Sequence, residues 1–145
     1  MEIYSIGFTQ KNASQFFDTL KAKGIERLLD VRLNNTSQLA GFAKQADLAY
    51  LLRQICGAAY EHEPLLAPTQ EILDAYKKRK GDWAAYEKEF LALMRFRKIE
   101  SAIDKEGFAQ RTVLLCSEPT AEHCHRRLVL EYLQKHWEGV LIHHL

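Results

Sequence analysis

The sequence predicts an α/β protein with a mainly parallel sheet of about five strands covered by helices, in a single domain over residues 1–145. Short apolar segments rich in β-formers alternate with segments whose apolar residues recur at helical spacing. No hairpin turn joins two strand-like segments, so successive strands are expected to be parallel. A chain of 145 residues, 47% of them hydrophobic, can bury one core without disulfide or metal support.

The first half of the chain alternates between strand and helix signals. Apolar segments bounded by turn residues predict strands at residues 3–6, 25–31 and 59–62. Between them, helical spacing predicts a helix that Asn12 or Ser14 caps and Gly24 ends, and another over residues 45–56. The polar stretch 33–42 is long for a connection in a compact domain, which makes it a candidate functional loop.

Helical spacing dominates the second half of the chain up to residue 105. It predicts two mostly structural helices separated at Gly81, whose expected core residues are Trp83, Tyr86 and Phe90. The remaining predicted elements are a strand at 112–116, a helix at 121–136 capped by Thr120, and a strand at 140–143.

Composition excludes several classes of protein. Twenty basic residues balance 19 acidic ones, and a net charge of +1 rules out a function based on overall basicity. Three cysteines are too few for a disulfide scaffold and fit a reducing compartment. Because the sequence has neither a signal peptide nor an apolar stretch of membrane-spanning length, we expect a cytoplasmic protein without a membrane partner.

Polar residues collect where the predicted strands end. The carboxyl ends of parallel strands share one edge of the sheet, and ligands bind at that edge. Alternation along the second strand places Asp30 and Arg32 on the same face. The residues expected at this edge are Gly7 and Thr9 after the first strand, Asp30 and Arg32 after the second, and Cys116 and Glu118 after the fourth.

The last strand-to-helix segment adds three side chains to the same edge. His125 and Arg126 fall within the apolar arc of the predicted helix, and Cys124 lies at its margin. A buried arginine is costly unless it is paired, so Arg126 requires a partner. The candidate partners are Asp30, Glu118 and an anionic ligand.

These side chains permit both structural and catalytic interpretations. His125 can donate to a main-chain carbonyl or act as the acid–base partner of a thiol. A cysteine at a strand end or helix start can be a nucleophile, or it can simply pack, and this applies to Cys116 and Cys124 alike. The anion-binding loop of a cysteine phosphatase or rhodanese is excluded, because Glu122 stands where that loop has arginine.

A metal site is a further alternative. Its candidate ligands are Cys116, His123, Cys124, His125, His143 and His144. The chain has no CxxC pair and no HExxH helix, so neither a metal nor another cofactor is predicted.

The order of these motifs resembles that of a known family, catalogued as domain of unknown function 488. The resemblance rests on Tyr4-Ser5-Ile6-Gly7-Phe8-Thr9, on Asp30-Val31-Arg32, on Leu115-Cys116-Ser117-Glu118 and on Cys124-His125-Arg126-Arg127. It covers nearly the whole chain and implies an intracellular, mostly prokaryotic α/β protein without an established reaction. It also implies that the charged, cysteine and histidine residues of these motifs form one cluster.

We therefore expect a protein that binds a small phosphate- or carboxylate-bearing ligand at the carboxyl edge of its sheet, and that is either a binding protein or an enzyme. Expected ligand-binding residues are Arg32, Arg126, Gly7 and Thr9. Expected catalytic residues, through acid–base or thiol chemistry, are Cys116, Glu118, Cys124, His125 and Asp30. The alternatives are the metal site and a non-catalytic module that binds protein or nucleic acid through residues 34–42 and the basic run 77–80.

Overall fold

The computed structural model describes residues 1–35, 41–118 and 120–145. These residues form one parallel sheet with helices on both faces, which confirms the predicted fold class. Residues 36–40, the middle of the predicted functional loop, lie outside the described residues, as does Pro119.

Five strands form the sheet within the described residues. They are β1 (Glu2–Gly7), β2 (Arg27–Asp30), β3 (Ala59–His62), β4 (Thr112–Cys116) and β5 (Leu141–His144). Their spatial order is β3-β2-β4-β1-β5, and every neighbouring pair is parallel. Gly7 lies beside Cys116 and Asp30 lies beside Leu115, so the ends of three strands meet at one edge.

The α-helices of the described residues are α1 (Ala13–Ala22), α2 (Gln45–Leu51), α3 (Gln70–Lys78), α4 (Trp83–Arg97), α5 (Ile99–Ala102) and α6 (His125–His136). Asn12 caps α1, and Gln15 completes a capping box. A π-helical turn continues α2 and ends at Gly57, whose φ of 64° favours glycine. None of the helices in the described ranges is both long and apolar enough to cross a membrane.

The helices bury two separate cores against the sheet. Phe16 of α1 and Leu48 of α2 pack on one face, whereas Phe90 of α4 and Leu128 of α6 pack on the other. The helix that follows β2, which is α2, therefore lies on one face of the sheet, and the helix that follows the neighbouring strand β4, which is α6, lies on the other. Open α/β sheets bind ligands in the crevice that such a divergence creates.

The last helix begins at His125, later than the predicted residue 121. Its N-cap is Cys124, not Thr120, and the extended Cys124 backbone has φ −136° and ψ 138°. The preceding residues form a turn in which the Cys124 N–H donates to the Ala121 carbonyl at 3.3 Å. This turn places Cys124 beside Cys116, at the end of the neighbouring strand.

Candidate functional site

A cleft of about 660 Å³ opens at the carboxyl edge of the sheet, between the segments that follow β2 and β4. The residues that line it come from the ends of these strands, from α3 and α4, and from the start of α6. It brings together five of the predicted ligand-binding and catalytic residues, namely Arg32, Cys116, Glu118, Cys124 and His125.

A cysteine and a histidine form the chemical centre of this cleft. The His125 Nε2 atom lies 2.6 Å from the Val31 carbonyl oxygen, which can only accept, so Nε2 carries the proton. The neutral imidazole then presents its lone pair at Nδ1, which lies 3.4 Å from the Cys116 sulfur. The bond to the main chain thus orients the ring so that Nδ1 faces the thiol.

The environment of Cys116 favours its thiolate. Burial raises the pKa of this thiol, but the Cys124 thiol, the Arg126 guanidinium and the amides of Ser117 and Glu118 together bring it below its ordinary value. Burial and the neighbouring Cys116 raise the pKa of Cys124 well above the ordinary value. Cys116 therefore has the more acidic thiol of the pair.

Arg126 lies behind this centre and not in the cleft. Its side chain is fully buried (0% exposed). Nη1 donates to the Glu118 main-chain oxygen at 2.7 Å, and Nε donates to Ser5 Oγ at 3.2 Å. Among the described residues no carboxylate lies within salt-bridge distance of it. Of the predicted partners, Glu118 is present through its main chain alone, and Asp30 is absent.

The two other predicted ligand-binding residues, Gly7 and Thr9, hold the loop that follows β4. A Cβ atom at Gly7 would lie 1.5 Å from the Glu118 oxygen, so the loop requires glycine there. The Thr9 N–H donates to the Ser117 oxygen at 3.1 Å, and the Thr9 hydroxyl donates to the same atom. Both residues position the loop beside Cys116, and neither is among the described residues that line the cleft.

Asp30 and Arg32 form a buried ion pair at the end of β2. Arg32 Nε and Nη2 donate to the two Asp30 carboxylate oxygens, each at 2.8 Å. The Asp30 carboxylate also accepts from the Arg32 N–H at 3.1 Å and from the Tyr60 hydroxyl at 2.5 Å. With both oxygens engaged and 0% exposure, Asp30 positions Arg32, and the geometry does not favour the acid–base role that the sequence suggests.

One donor of Arg32 remains for a ligand. Arg32 lines the cleft, is only 3% exposed, and its Nη1 has no hydrogen-bond partner among the described residues. Lys77 lines the same cleft, whereas the exposed Glu118 side chain adds a carboxylate to it.

An aromatic wall faces these polar groups, and the sequence analysis missed it. Trp83, expected in the core, is half-buried and lines the cleft. Its ring stacks on those of His123 and Tyr86, with centroids 5.1 Å and 5.0 Å away. Helical spacing could predict that Trp83 and Tyr86 share a stripe, but not that the first turn of α4 borders the cleft.

The sequence profile described as "Domain of unknown function DUF488" matches residues 12–133, most of the chain. The chain belongs to the DUF488 family. No curated protein and no solved structure shows significant similarity to it. All of the cleft-lining residues named above fall within the span that matches DUF488.

The DUF488 cleft also contains a set of donors that can hold a metal ion. The Cys116 and Cys124 sulfurs and a His125 nitrogen lie within 4.8 Å of one another, and all three residues are buried. Two thiolates and an imidazole are ligands that zinc prefers. Of the other histidines considered for this site, His123 lines the cleft but does not belong to this set of donors. His143 and His144 lie on β5 at the far edge of the sheet.

Proposed function

We propose that this DUF488 protein is a thiol-dependent enzyme that acts on a small phosphate- or carboxylate-bearing substrate. Cys116 is the nucleophile, His125 is its base, and Arg32 binds the anionic group of the substrate. The observation that carries the proposal is the hydrogen bond between Cys116 and an imidazole oriented by Val31, inside a cleft that Arg32 also lines.

The contacts of His125 support nucleophilic chemistry. Transfer of the Cys116 proton to Nδ1 yields a thiolate and an imidazolium, whose Nε2–H stays bonded to the Val31 oxygen. The thiolate can attack an electrophilic carbon or phosphorus, and the imidazolium can return the proton to the group that leaves. Glu118, exposed beside Cys116, is a second candidate for proton transfer.

The charges around the cleft support an anionic substrate. Arg32, held in place by Asp30, offers an N–H that has no partner among the described residues, and Lys77 stands at the rim. The stack of His123, Trp83 and Tyr86 lines the cleft with aromatic surface, which favours a substrate with an apolar or planar part. Arg126 contributes indirectly, since its charge stabilises the Cys116 thiolate and its hydrogen bond holds the loop.

Iodoacetate and iodoacetamide form a matched pair of probes, because both alkylate thiolates and only the first is an anion. We expect Cys116 to react faster than Cys56 or Cys124, since burial raises the pKa values of those two thiols. We also expect the folded protein to prefer iodoacetate over iodoacetamide more strongly than the urea-denatured chain does. Equal reactivity of Cys116 and Cys56 would overturn the thiol part of the proposal.

The anion-binding part is tested by the double variant Asp30→Asn, Arg32→Gln. It removes the guanidinium and its counter-ion together, so neither charge remains buried and unpaired. The preference for iodoacetate should fall to that of the denatured chain while Cys116 still reacts. Lys80→Gln, an exposed change outside the cleft lining, is the control. An unchanged preference in the double variant overturns the role of Arg32.

The two alternatives give different results in solution. A stoichiometric metal ion in protein purified without added metal would replace the thiol proposal by a metal site at Cys116, Cys124 and His125. Salt-dependent nucleic-acid binding that is lost on substitution of the exposed run 77–80, and is insensitive to Cys116, would favour a binding module.

The proposal also places the protein in the reducing cytoplasm of a prokaryotic cell. Support comes from the free thiols of Cys56, Cys116 and Cys124, since a low-pKa thiol beside a second thiol persists only where reductants maintain it.

A further inference from the structure

Cys116 and Cys124 form a pair of thiols at the floor of the cleft. Their sulfurs lie within 4.8 Å of one another. Both are free, both line the cleft, and they are only 5% and 2% exposed. The third cysteine, Cys56, packs on the other face of the sheet, where its thiol donates to the Phe17 oxygen at 3.6 Å.

We propose that Cys116 and Cys124 form a reversible disulfide when a hydroperoxide enters the cleft, and that this bond switches off the thiol chemistry of Cys116. The inference rests on the proposed function, because it requires a reactive Cys116. It extends the proposed function in two ways: a hydroperoxide also reacts in the cleft, and Cys124 has a regulatory role.

The reaction proceeds in two balanced steps. The Cys116 thiolate attacks the peroxide ROOH, the O–O bond breaks, and the sulfur is oxidised to a sulfenic acid while RO⁻ takes the proton held by His125 and leaves as ROH. The Cys124 sulfur then attacks the sulfenic sulfur, the S–O bond breaks, and hydroxide leaves with the Cys124 proton as water. Two thiols and one hydroperoxide thus give one disulfide, one alcohol and one water.

A disulfide requires the two sulfurs to approach to about 2.05 Å, so one of the two side chains has to move. Cys116 is fixed in β4, but Cys124 occupies the N-cap of α6 and its side chain makes no capping hydrogen bond. Rotation of the Cys124 side chain therefore leaves the helix end intact. Once bonded, the Cys116 sulfur can no longer receive or lose a proton through His125 Nδ1.

The chain offers a direct measurement of this bond. Trypsin releases residues 112–126 as one peptide, because no lysine or arginine lies between Cys116 and Cys124. In a Cys56→Ser background treated with hydrogen peroxide, this peptide should lose two hydrogens. Cleavage after Glu122 should then leave its two halves linked until dithiothreitol separates them. Alkylatable Cys116 should disappear on oxidation and return on reduction.

Two further variants separate the steps. With Cys124→Ser added, a sulfenic acid should accumulate at Cys116 and react with dimedone. With Cys116→Ser added, Cys124 should remain unmodified. Cross-linking between chains, or oxidation of Cys116 to a sulfinic acid while Cys124 is present, would overturn the inference.

The rate at which iodoacetamide alkylates Cys116 in the unoxidised Cys56→Ser protein distinguishes a failure of this inference from a failure of the proposed function. Rapid alkylation of Cys116 without a disulfide overturns the switch and leaves the proposed function standing. Slow alkylation together with disulfide formation supports the bond and overturns the catalytic thiol. Slow alkylation without a disulfide overturns both.

Discussion

The Arg126 guanidinium donates to the Glu118 main-chain oxygen at 2.7 Å, although both the sequence and the usual energetics of buried arginine favour a carboxylate partner. Its positive charge therefore acts on its surroundings. Burial raises the pKa of Cys116, and the charge of Arg126 lowers it. At Lys11 and His144, burial and the charge of Arg126 both lower the pKa. The same side chain holds the loop after β4 and stabilises the nucleophile.

Replacement of Arg126 by methionine tests this electrostatic role. The guanidinium lowers the pKa of Cys116, so its removal should raise that pKa. Alkylation of Cys116 by iodoacetamide at neutral pH should then slow about tenfold. The measurement is the pH profile of alkylation in a Cys56→Ser background. Arg126→Lys should restore part of the rate, and Arg95→Met, a charge removed from the exposed face of α4, should leave it unchanged. An unshifted profile in Arg126→Met would contradict the role.

The buried pair of Asp30 and Arg32 predicts unequal costs for two neighbouring substitutions. Asp30→Asn leaves the Arg32 cation buried without its counter-ion and should lower the free energy of unfolding by about 3–5 kcal/mol. Tyr60→Phe removes a hydroxyl that donates to Asp30 and accepts from Asn35, and it should cost about 1–2 kcal/mol. Urea denaturation measures both, with Tyr50→Phe, at a residue 62% exposed, as the control. Equal costs for the two variants would contradict this view of the pair.

The close approach of β1 to the loop after β4 predicts a strong effect at Gly7. The Cβ atom of Gly7→Ala would overlap the Glu118 oxygen, which is main chain and cannot rotate away. We expect a loss of about 3 kcal/mol in the free energy of unfolding, together with slower alkylation of Cys116 as the loop moves. Gly41→Ala, whose Cβ meets no atom of the described residues within 4 Å, is the control. Thermal denaturation and alkylation rates that match those of the control would refute the proposed contact.

The sequence predicts the strands and the edge of the sheet where the site lies, because local patterns determine both. Alternation along the second predicted strand is sufficient to place Asp30 and Arg32 on one face, although not to predict their ion pair, and the strand end at Cys116 follows from one apolar run. The partner of Arg126 cannot be predicted in this way. It is a main-chain oxygen whose position depends on the packing of the Glu118 loop against Gly7.

The contact between Tyr60 and Asp30 likewise cannot be predicted from local sequence, because it depends on which strands are neighbours. The Tyr60 hydroxyl reaches Asp30 because β2 and β3 are parallel neighbours, with Leu28 beside Tyr60 and Asp30 beside His62. That register places Tyr60 and Asp30 on one face, but it depends on strand order, which a pattern of apolar residues does not encode. Periodicity likewise cannot distinguish a core face of α4 from one that borders a cleft, and Trp83 both packs against the core and lines the cleft.

His144 provides a prediction about pH. Burial, together with the charges of Arg126 and Arg127, lowers its pKa below the ordinary value of 6.5, and its Nδ1 lies 2.5 Å from Ser5 Oγ. Between the folded-state pKa and 6.5 the unfolded chain binds a proton that the folded chain does not. Acid therefore favours unfolding, and this contribution to stability is present above pH 6.5 and is lost as the pH falls to the folded-state pKa. In His144→Gln the urea midpoint should depend less on pH in this interval than it does in the parent. A His144→Gln protein with the parent's pH dependence would show that this histidine does not contribute to acid sensitivity.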